Sequence, residues 1–142
     1  MNVDRERLLA KARQWVAYAD EDLTLARYAL AMKEPPFRLV AYHAQQCVEK
    51  YFKGCLVCLG VDFPYTHNIA RLRELFVENR LDSEALRQSE QLSPYAVTAR
   101  YPGEDEEVTR EEAEHAVRIA VEASRVLRTH LLEMGWRPPT PE

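Results

Sequence analysis

The spacing of apolar residues constrains the fold of this chain more than any other feature of its sequence. In residues 4–32, and again in residues 38–59, apolar side chains recur every three or four positions, which is the period of one face of an α-helix. No segment shows the alternation of apolar and polar residues that a half-buried strand requires, and only 4 of the 142 residues are Gly. The pattern predicts an all-α protein, an antiparallel, up-and-down bundle of four to five helices. The two apolar sets are Leu8, Ala12, Trp15, Val16, Ala19, Leu23, Ala26 and Leu30, then Val40, Ala44, Cys47, Val48, Tyr51, Phe52, Cys55, Leu56 and Leu59.

Helix-ending and helix-starting residues divide the chain further. Pro35 and Pro36 end the first helix, because proline lacks an N–H and restricts the residue before it. Gly60 is placed to end the second helix in a left-handed conformation. The remaining signals are Thr66 or Asn68 at the start of a third helix, Asp82 or Ser83 at the start of a fourth that is kinked near Pro94, and the capping box of Thr109 and Glu112 at the start of a last helix that ends at Gly135.

The length of the chain is that of one domain. We expect the domain to occupy residues 1–134 and a Pro-rich, irregular tail to occupy residues 135–142. No apolar run reaches the roughly 18–20 residues of a membrane span, and the first residues are charged where a signal peptide would be apolar. These features, with an odd number of cysteines, predict a cytoplasmic protein in a reducing compartment, without membrane contact.

Charge and cysteine spacing exclude several classes of site. The 19 basic and 23 acidic residues give a net charge of −4, so no general positive field attracts nucleic acid, and we expect no DNA binding. Cys55 and Cys58 lie in mid-helix without a second dithiol, and Cys47 is too far along the helix from Cys58 to share an ion. We interpret the three as small core residues, and we expect no metal and no cofactor.

The second helix also carries a polar stripe. At about 100° per residue, its members fall within roughly 100° of one another, with His43 beside them. In one interpretation, Glu49 and Lys53 form an i,i+4 ion pair on a solvated face, which contributes only about 0.2–0.5 kcal/mol. In the other, the stripe lines a groove and holds a phosphate, a nucleotide or side chains of a partner. The members of the stripe are Gln46, Glu49, Lys50 and Lys53.

Three motifs resemble one known family. The helix His43-Ala44-Gln45-Gln46-Cys47-Val48-Glu49-Lys50-Tyr51-Phe52-Lys53-Gly54-Cys55-Leu56 is similar to the signature helix of the HEPN domain (higher eukaryotes and prokaryotes nucleotide-binding). It is followed in order by Pro64-x-Thr66-His67 and by Ala99-Arg100-Tyr101-Pro102. The resemblance implies a free-standing HEPN protein, a helical bundle and frequent homodimerisation. It also implies a pairing with a separate minimal nucleotidyltransferase in a two-component or toxin–antitoxin system.

The same resemblance raises the question of ribonuclease activity. Many HEPN proteins are metal-independent ribonucleases whose motif is Arg, four to six residues, then His, near the junction of the last two helices. Here no His follows Arg100 at that interval, and the acidic run 104–107 would repel an RNA backbone. Three Arg–His pairs in the chain have the motif's spacing, Arg38/His43, Arg110/His115 and Arg125/His130. Arg110 and His115 lie nearest to the expected place and are the catalytic candidates, although five residues place them about 140° apart on a helix.

Three further residues are candidates for binding a nucleotide or a partner. His67 matches a family position, or else it stabilises the loop at the start of the third helix. Arg100 and Tyr101 match the last motif, or else they anchor their loop, with the guanidinium reaching a carboxylate such as Glu49.

Three functional hypotheses follow. The first is a dimeric HEPN binding module that docks a minimal nucleotidyltransferase and contributes a surface for a nucleotide or for RNA. The second is a metal-independent ribonuclease toxin that such a partner restrains. The third is a purely structural helical oligomer.

Overall fold

A computed structural model describes residues 3–97 and 107–140 of the chain. These residues contain α-helices and one 3₁₀ helix but no strand, which confirms the predicted all-α architecture. The long first helix begins and ends close to its predicted bounds, and a kinked fourth segment appears as a short α-helix continued by the 3₁₀ helix. The elements are α1 (Val3–Leu30), α2 (Phe37–Leu59), α3 (Ile69–Val77), α4 (Glu84–Gln88), the 3₁₀ helix (Ser89–Ala96) and α5 (Arg110–Glu133).

α1 and α2 form a closely packed antiparallel hairpin. Gly60 at the end of α2 lies beside Leu8, and Gly54 lies beside Trp15 further up α1. A Cβ atom on Gly54 would lie only 3.3 Å from Cβ of Trp15. The buried face of α1 is built largely of alanines, which lets the two backbones approach each other.

α2 is the central helix of the bundle. Every residue from 44 to 49 and from 51 to 56 is buried, because α1 packs on one side while α3, α5 and the 3₁₀ helix pack on the others. The three cysteines of α2 are free and buried, which confirms that they are small core residues. The burial of so much of one helix includes several polar side chains, and these form the candidate site.

The predicted helix ends are present. Gly60 ends α2 with φ of 70°, and the Asn68 side chain accepts a hydrogen bond from the backbone N–H of Ala70 at the start of α3. Ser83 caps α4, and Thr109 forms the expected capping box with Glu112. Between α2 and α3, the loop returns along α2, so that α3 begins beside Glu49 and not at the end of α2.

The core extends past the predicted domain boundary at residue 134. Residues 136–140 form no regular structure, but Trp136 is 1% exposed and belongs to the main hydrophobic core. Its ring lies 4.9 Å from the guanidinium carbon of Arg128. The tail therefore begins after Trp136, because an indole of this size buries enough apolar surface to hold the chain against the bundle.

None of the helices in the described ranges combines the length and the apolar character needed to cross a membrane.

Candidate functional site

The polar stripe of α2 lies inside the protein. Glu49 is 3% exposed and Lys53 is 5% exposed, and Gln46 is also buried. The interpretation of the stripe as a solvated face is therefore wrong. Lys50 is the member that keeps partial access to solvent.

Glu49 is the centre of a buried hydrogen-bond network. Its Oε2 accepts from Nζ of Lys53 at 2.9 Å, and its Oε1 lies 2.8 Å from Nδ1 of His67. The side-chain amides of Gln45 and Gln46 donate to the same Oε1 at 3.2 and 3.4 Å. Both oxygens of the Glu49 carboxylate thus have hydrogen-bond partners. A buried carboxylate requires this, since burying a charge is costly unless it is paired and hydrogen-bonded.

Lys53 is enclosed by aromatic rings. Its Nζ lies 5.4 Å from the ring centre of Trp15 and 5.9 Å from those of Phe63 and Tyr65. A desolvated ammonium at such distances is stabilised by the negative faces of the rings. Because Glu49 and three rings surround it, Lys53 does not offer its charge to a phosphate at the surface.

The network joins the loop 61–68 to α2. Besides the side-chain contact of His67, Nε2 of Gln45 donates to the backbone carbonyl of His67 at 3.0 Å. Phe63 also packs edge-on against Trp15 of α1. The predicted loop-stabilising role of His67 is thus present, and its side chain remains 48% exposed.

A second cluster bridges α1 and α2 through Asp22. One carboxylate oxygen lies 2.8 Å from Nδ1 of His43, and the other accepts from Nζ of Lys50 at 2.6 Å. Asp22 is nearly buried and was missed in the sequence, although its position between Ala19 and Ala26 on the buried face of α1 marks it as an unusual core residue.

A third cluster joins α1, α2 and α5. The hydroxyl of Tyr51 donates to Asp20, and Nη1 of Arg128 donates to the same hydroxyl at 3.1 Å. Burial raises the pKa of Tyr51, and the neighbouring Asp20 raises it further. Tyr51 is therefore a neutral, structural donor.

The candidate catalytic pair is not brought together. The guanidinium carbon of Arg110 lies 4.9 Å from the ring centre of Phe37 in α2, whereas Nε2 of His115 lies 3.3 Å from Oε1 of Gln91 in the 3₁₀ helix. The two side chains thus contact different elements, as their separation on the helix predicts. Arg100 and Tyr101, the other predicted binding residues, lie outside the described residues.

His115 lines an open cleft of about 300 Å³ between α4 and α5. Its other lining residues are mixed in charge and include Glu84, Glu122 and Arg118. Within residues 3–97 and 107–140, side chains of His, Cys, Asp and Glu form no group of three or more that can hold a metal ion.

Comparisons with known proteins agree with this fold. The chain is 29% identical over 137 residues to a protein of Methanocaldococcus jannaschii named "Putative toxin MJ1304", covering 86% of this chain and 89% of the relative. Among solved structures, it is similar to TT1696 from Thermus thermophilus, with a TM-score of 0.74, 24% identity and coverage of 85% and 98% of the two chains. It is also similar to ST0689, an archaeal HEPN homologue, with a TM-score of 0.67, 23% identity and coverage of 84% and 97%.

The two structural similarities support the helical fold. The family is shown by the sequence itself, because the model of the HEPN domain matches residues 12–130, from the first buried residue of α1 almost to the end of α5. The chain therefore belongs to the HEPN domain family.

Proposed function

We propose that this protein is a homodimeric HEPN binding module that acts with a separate minimal nucleotidyltransferase, as one half of a two-component or toxin–antitoxin pair. The observation that favours a binding module over an enzyme is the separation of Arg110 and His115, which contact Phe37 and Gln91 on different elements. Cleavage of a phosphodiester needs a general acid or base and a cation at one phosphate, within hydrogen-bond reach. Binding without turnover fits this arrangement better than catalysis.

The binding surface of the module is formed by His67 and Tyr65, on the solvent side of the Glu49 network. Glu49 and Lys53 are satisfied by each other and are enclosed, so they support the surface and do not contact a ligand. His67 and Tyr65 are the exposed groups over the network, with Tyr65 at 91% and its ring 5.5 Å from that of His67. An imidazole beside an exposed phenol ring suits a nucleotide base, which stacks on aromatic rings, or a partner's side chains.

A metal-independent ribonuclease toxin is the alternative function. It is favoured by the printed name of the relative from Methanocaldococcus jannaschii, which describes a toxin. In this alternative, Arg110 and His115 act together after a rearrangement or across two copies of the chain.

One experiment separates the two functions. The purified protein is incubated with a mixed RNA substrate in excess EDTA, beside the Arg110→Ala/His115→Ala double variant. The binding module predicts no cleavage by either protein. Cleavage by the wild type that is lost in the double variant would overturn the proposal in favour of the ribonuclease.

The partner is tested by co-expression with the minimal nucleotidyltransferase encoded nearest to the gene of this chain. A stable complex of defined stoichiometry, measured by light scattering after size exclusion, is the expected result. His67→Ala and Tyr65→Ala weaken the complex or its binding of ATP, whereas Glu74→Ala, on the exposed face of α3, is the control. Absence of any complex would contradict the assigned partnership.

A further inference from the structure

We infer that the outer face of α1 is the surface through which two copies of this chain pair, antiparallel about a two-fold axis at Leu25. The inference rests on the homodimer of the proposed function, and it names the surface and the register that form the dimer.

Four large apolar side chains on this face are left open to solvent. Tyr18, Leu25, Tyr28 and Met32 are each between 50% and 73% exposed, although the opposite face of α1 is packed against the bundle. An outer helix face normally carries charged and polar residues. A row of this size on a monomer marks an interaction site.

The four side chains belong to one regular row. Residues 18, 21, 25, 28 and 32 are spaced by three, four, three and four positions, which places them in one continuous row along one side of a helix. Met32 follows the end of α1, but its backbone N–H still bonds to the carbonyl of Ala29, so the row continues through the last turn. Glu21 is the one charged member.

The row is complementary to itself when reversed. With Leu25 on a two-fold axis, Tyr18 of one copy lies opposite Met32 of the other, and Glu21 lies within one residue, about 1.5 Å along the helix, of the position opposite Tyr28. The phenol hydroxyl can donate to the carboxylate, so the one charge in the row gains a partner. A two-fold interface requires such a self-complementary patch, because the same surface is used on both copies.

The neighbouring acids show that Glu21 is the group available for this contact. Asp20 bonds to Tyr51 and Arg128, and Asp22 bonds to His43 and Lys50, so both carboxylates are used within the bundle. Across residues 3–97 and 107–140, no side chain bonds or pairs with Glu21, which is exposed between them. A hydrogen bond from a second copy would satisfy it without breaking an internal contact.

The exposed side chains of the row supply part of the area that a dimer of ordinary size buries. A standard interface buries about 800 Å² on each partner. At their exposed fractions, Tyr18 and Tyr28 offer roughly 200–300 Å² of this, since an aromatic side chain buries about 150–250 Å². Leu25 and Met32 add to this area.

The first test compares two apolar-to-charged substitutions by sedimentation equilibrium of the full chain. Leu25→Glu places two carboxylates at the axis and raises the dimer dissociation constant at least about 30-fold, as for a central interface residue. Leu81→Glu, at an exposed leucine in the loop after α3, is the matched control and leaves the constant unchanged. Circular dichroism verifies that both variants retain their helices.

The second test uses charge to read the register. Tyr28→Glu places a carboxylate beside Glu21 of the other copy, and the two-fold axis repeats this repulsive contact, so the dimer is weakened. Tyr28→Lys places an ammonium beside Glu21 instead, and the dimer is preserved. The double variant Tyr28→Glu/Glu21→Lys restores the dimer. If the two-fold axis instead lay between Tyr18 and Glu21, Tyr28 would face Lys11 of the other copy. Tyr28→Glu would then preserve the dimer, and Tyr28→Lys would weaken it.

The outcomes distinguish this inference from the proposed function. A wild-type dimer that resists Leu25→Glu, or that is weakened more by Tyr28→Lys than by Tyr28→Glu, keeps the homodimer and overturns this interface. A wild type that is monomeric at all concentrations overturns the homodimer itself. A monomer whose nucleotidyltransferase binding is lost in Leu25→Glu would overturn the inference by assigning the face to that partner.

Discussion

Nδ1 of His67 lies 2.8 Å from Oε1 of Glu49, so a half-exposed imidazole covers a carboxylate that is otherwise enclosed in the bundle. The contact joins the loop before α3 to the centre of α2. It also leaves the imidazole as the part of the Glu49 network that reaches the surface, together with the exposed ring of Tyr65.

Substitution of Glu49 tests whether the buried network is a structural unit. Glu49→Gln keeps the shape of the side chain but leaves the Lys53 ammonium buried without a counter-charge. We expect a loss of about 3–5 kcal/mol in the free energy of unfolding, as is typical when one partner of a buried ion pair is removed. Urea unfolding followed by circular dichroism measures the change.

Two controls accompany that prediction. Adding Lys53→Met to Glu49→Gln recovers part of the loss, because the uncompensated charge is removed and the methionine fills the same space among the rings. Glu74→Gln breaks the exposed pair with Arg71 and costs less than about 0.5 kcal/mol. If Glu49→Gln and Glu74→Gln lowered the free energy of unfolding equally, the buried network would contribute no more to stability than an exposed ion pair.

Trp136 is predicted to be essential for stability, although it lies in an irregular segment. Trp136→Ala removes a fully buried indole, which costs about 3–5 kcal/mol in unfolding free energy. Truncation after Arg137 removes only exposed or undescribed residues and leaves the thermal midpoint unchanged. A stable chain truncated after Glu133 would contradict the assignment of Trp136 to the core.

His130 gives the stability of the bundle a pH dependence of defined sign. Burial lowers the pKa of His130, and the guanidinium of Arg80, whose Nε donates to Nδ1 at 3.0 Å, lowers it further. The folded state thus disfavours the protonated ring. The unfolded chain takes up a proton near pH 6.5, so His130 reduces stability as the pH falls below that value towards the lower, folded pKa.

The measurement is the free energy of unfolding of the wild type and of His130→Gln between pH 7.5 and pH 5. Glutamine keeps an acceptor for Arg80 but does not titrate in this range. The wild type is therefore expected to lose stability relative to the variant as the solution is acidified. A difference that stays constant with pH would refute the assigned role.

The three cysteines are predicted to be unreactive in the folded protein. Burial raises the pKa of Cys47 to about 12 and also raises the pKa values of Cys55 and Cys58. Since the thiolate is the reactive form, a disulfide reagent at pH 8 should modify them orders of magnitude more slowly than after unfolding in guanidinium. One rapidly modified thiol in the native protein would reveal an exposed cysteine.

Much of the local structure was predictable from the sequence, because helix periods and caps depend on neighbouring residues. Gly60, Asn68 and Thr109 with Glu112 end or start their helices as predicted, since each acts on backbone groups within a few positions. The row of residues 18, 21, 25, 28 and 32 on α1 is likewise present in the sequence, but only the packing shows that it is left uncovered.

The tertiary structure decided what the polar residues do. Glu49 and Lys53 are four positions apart on a helix whether that helix is exposed or central, and only the arrival of α1 and the loop 61–68 encloses them. The roles of Asp22, His43 and Trp136 likewise depend on partners far along the chain. Sequence alone therefore determined an all-α HEPN chain and its helix ends, whereas burial and long-range pairing decided which of its charged groups are structural and which remain available for binding.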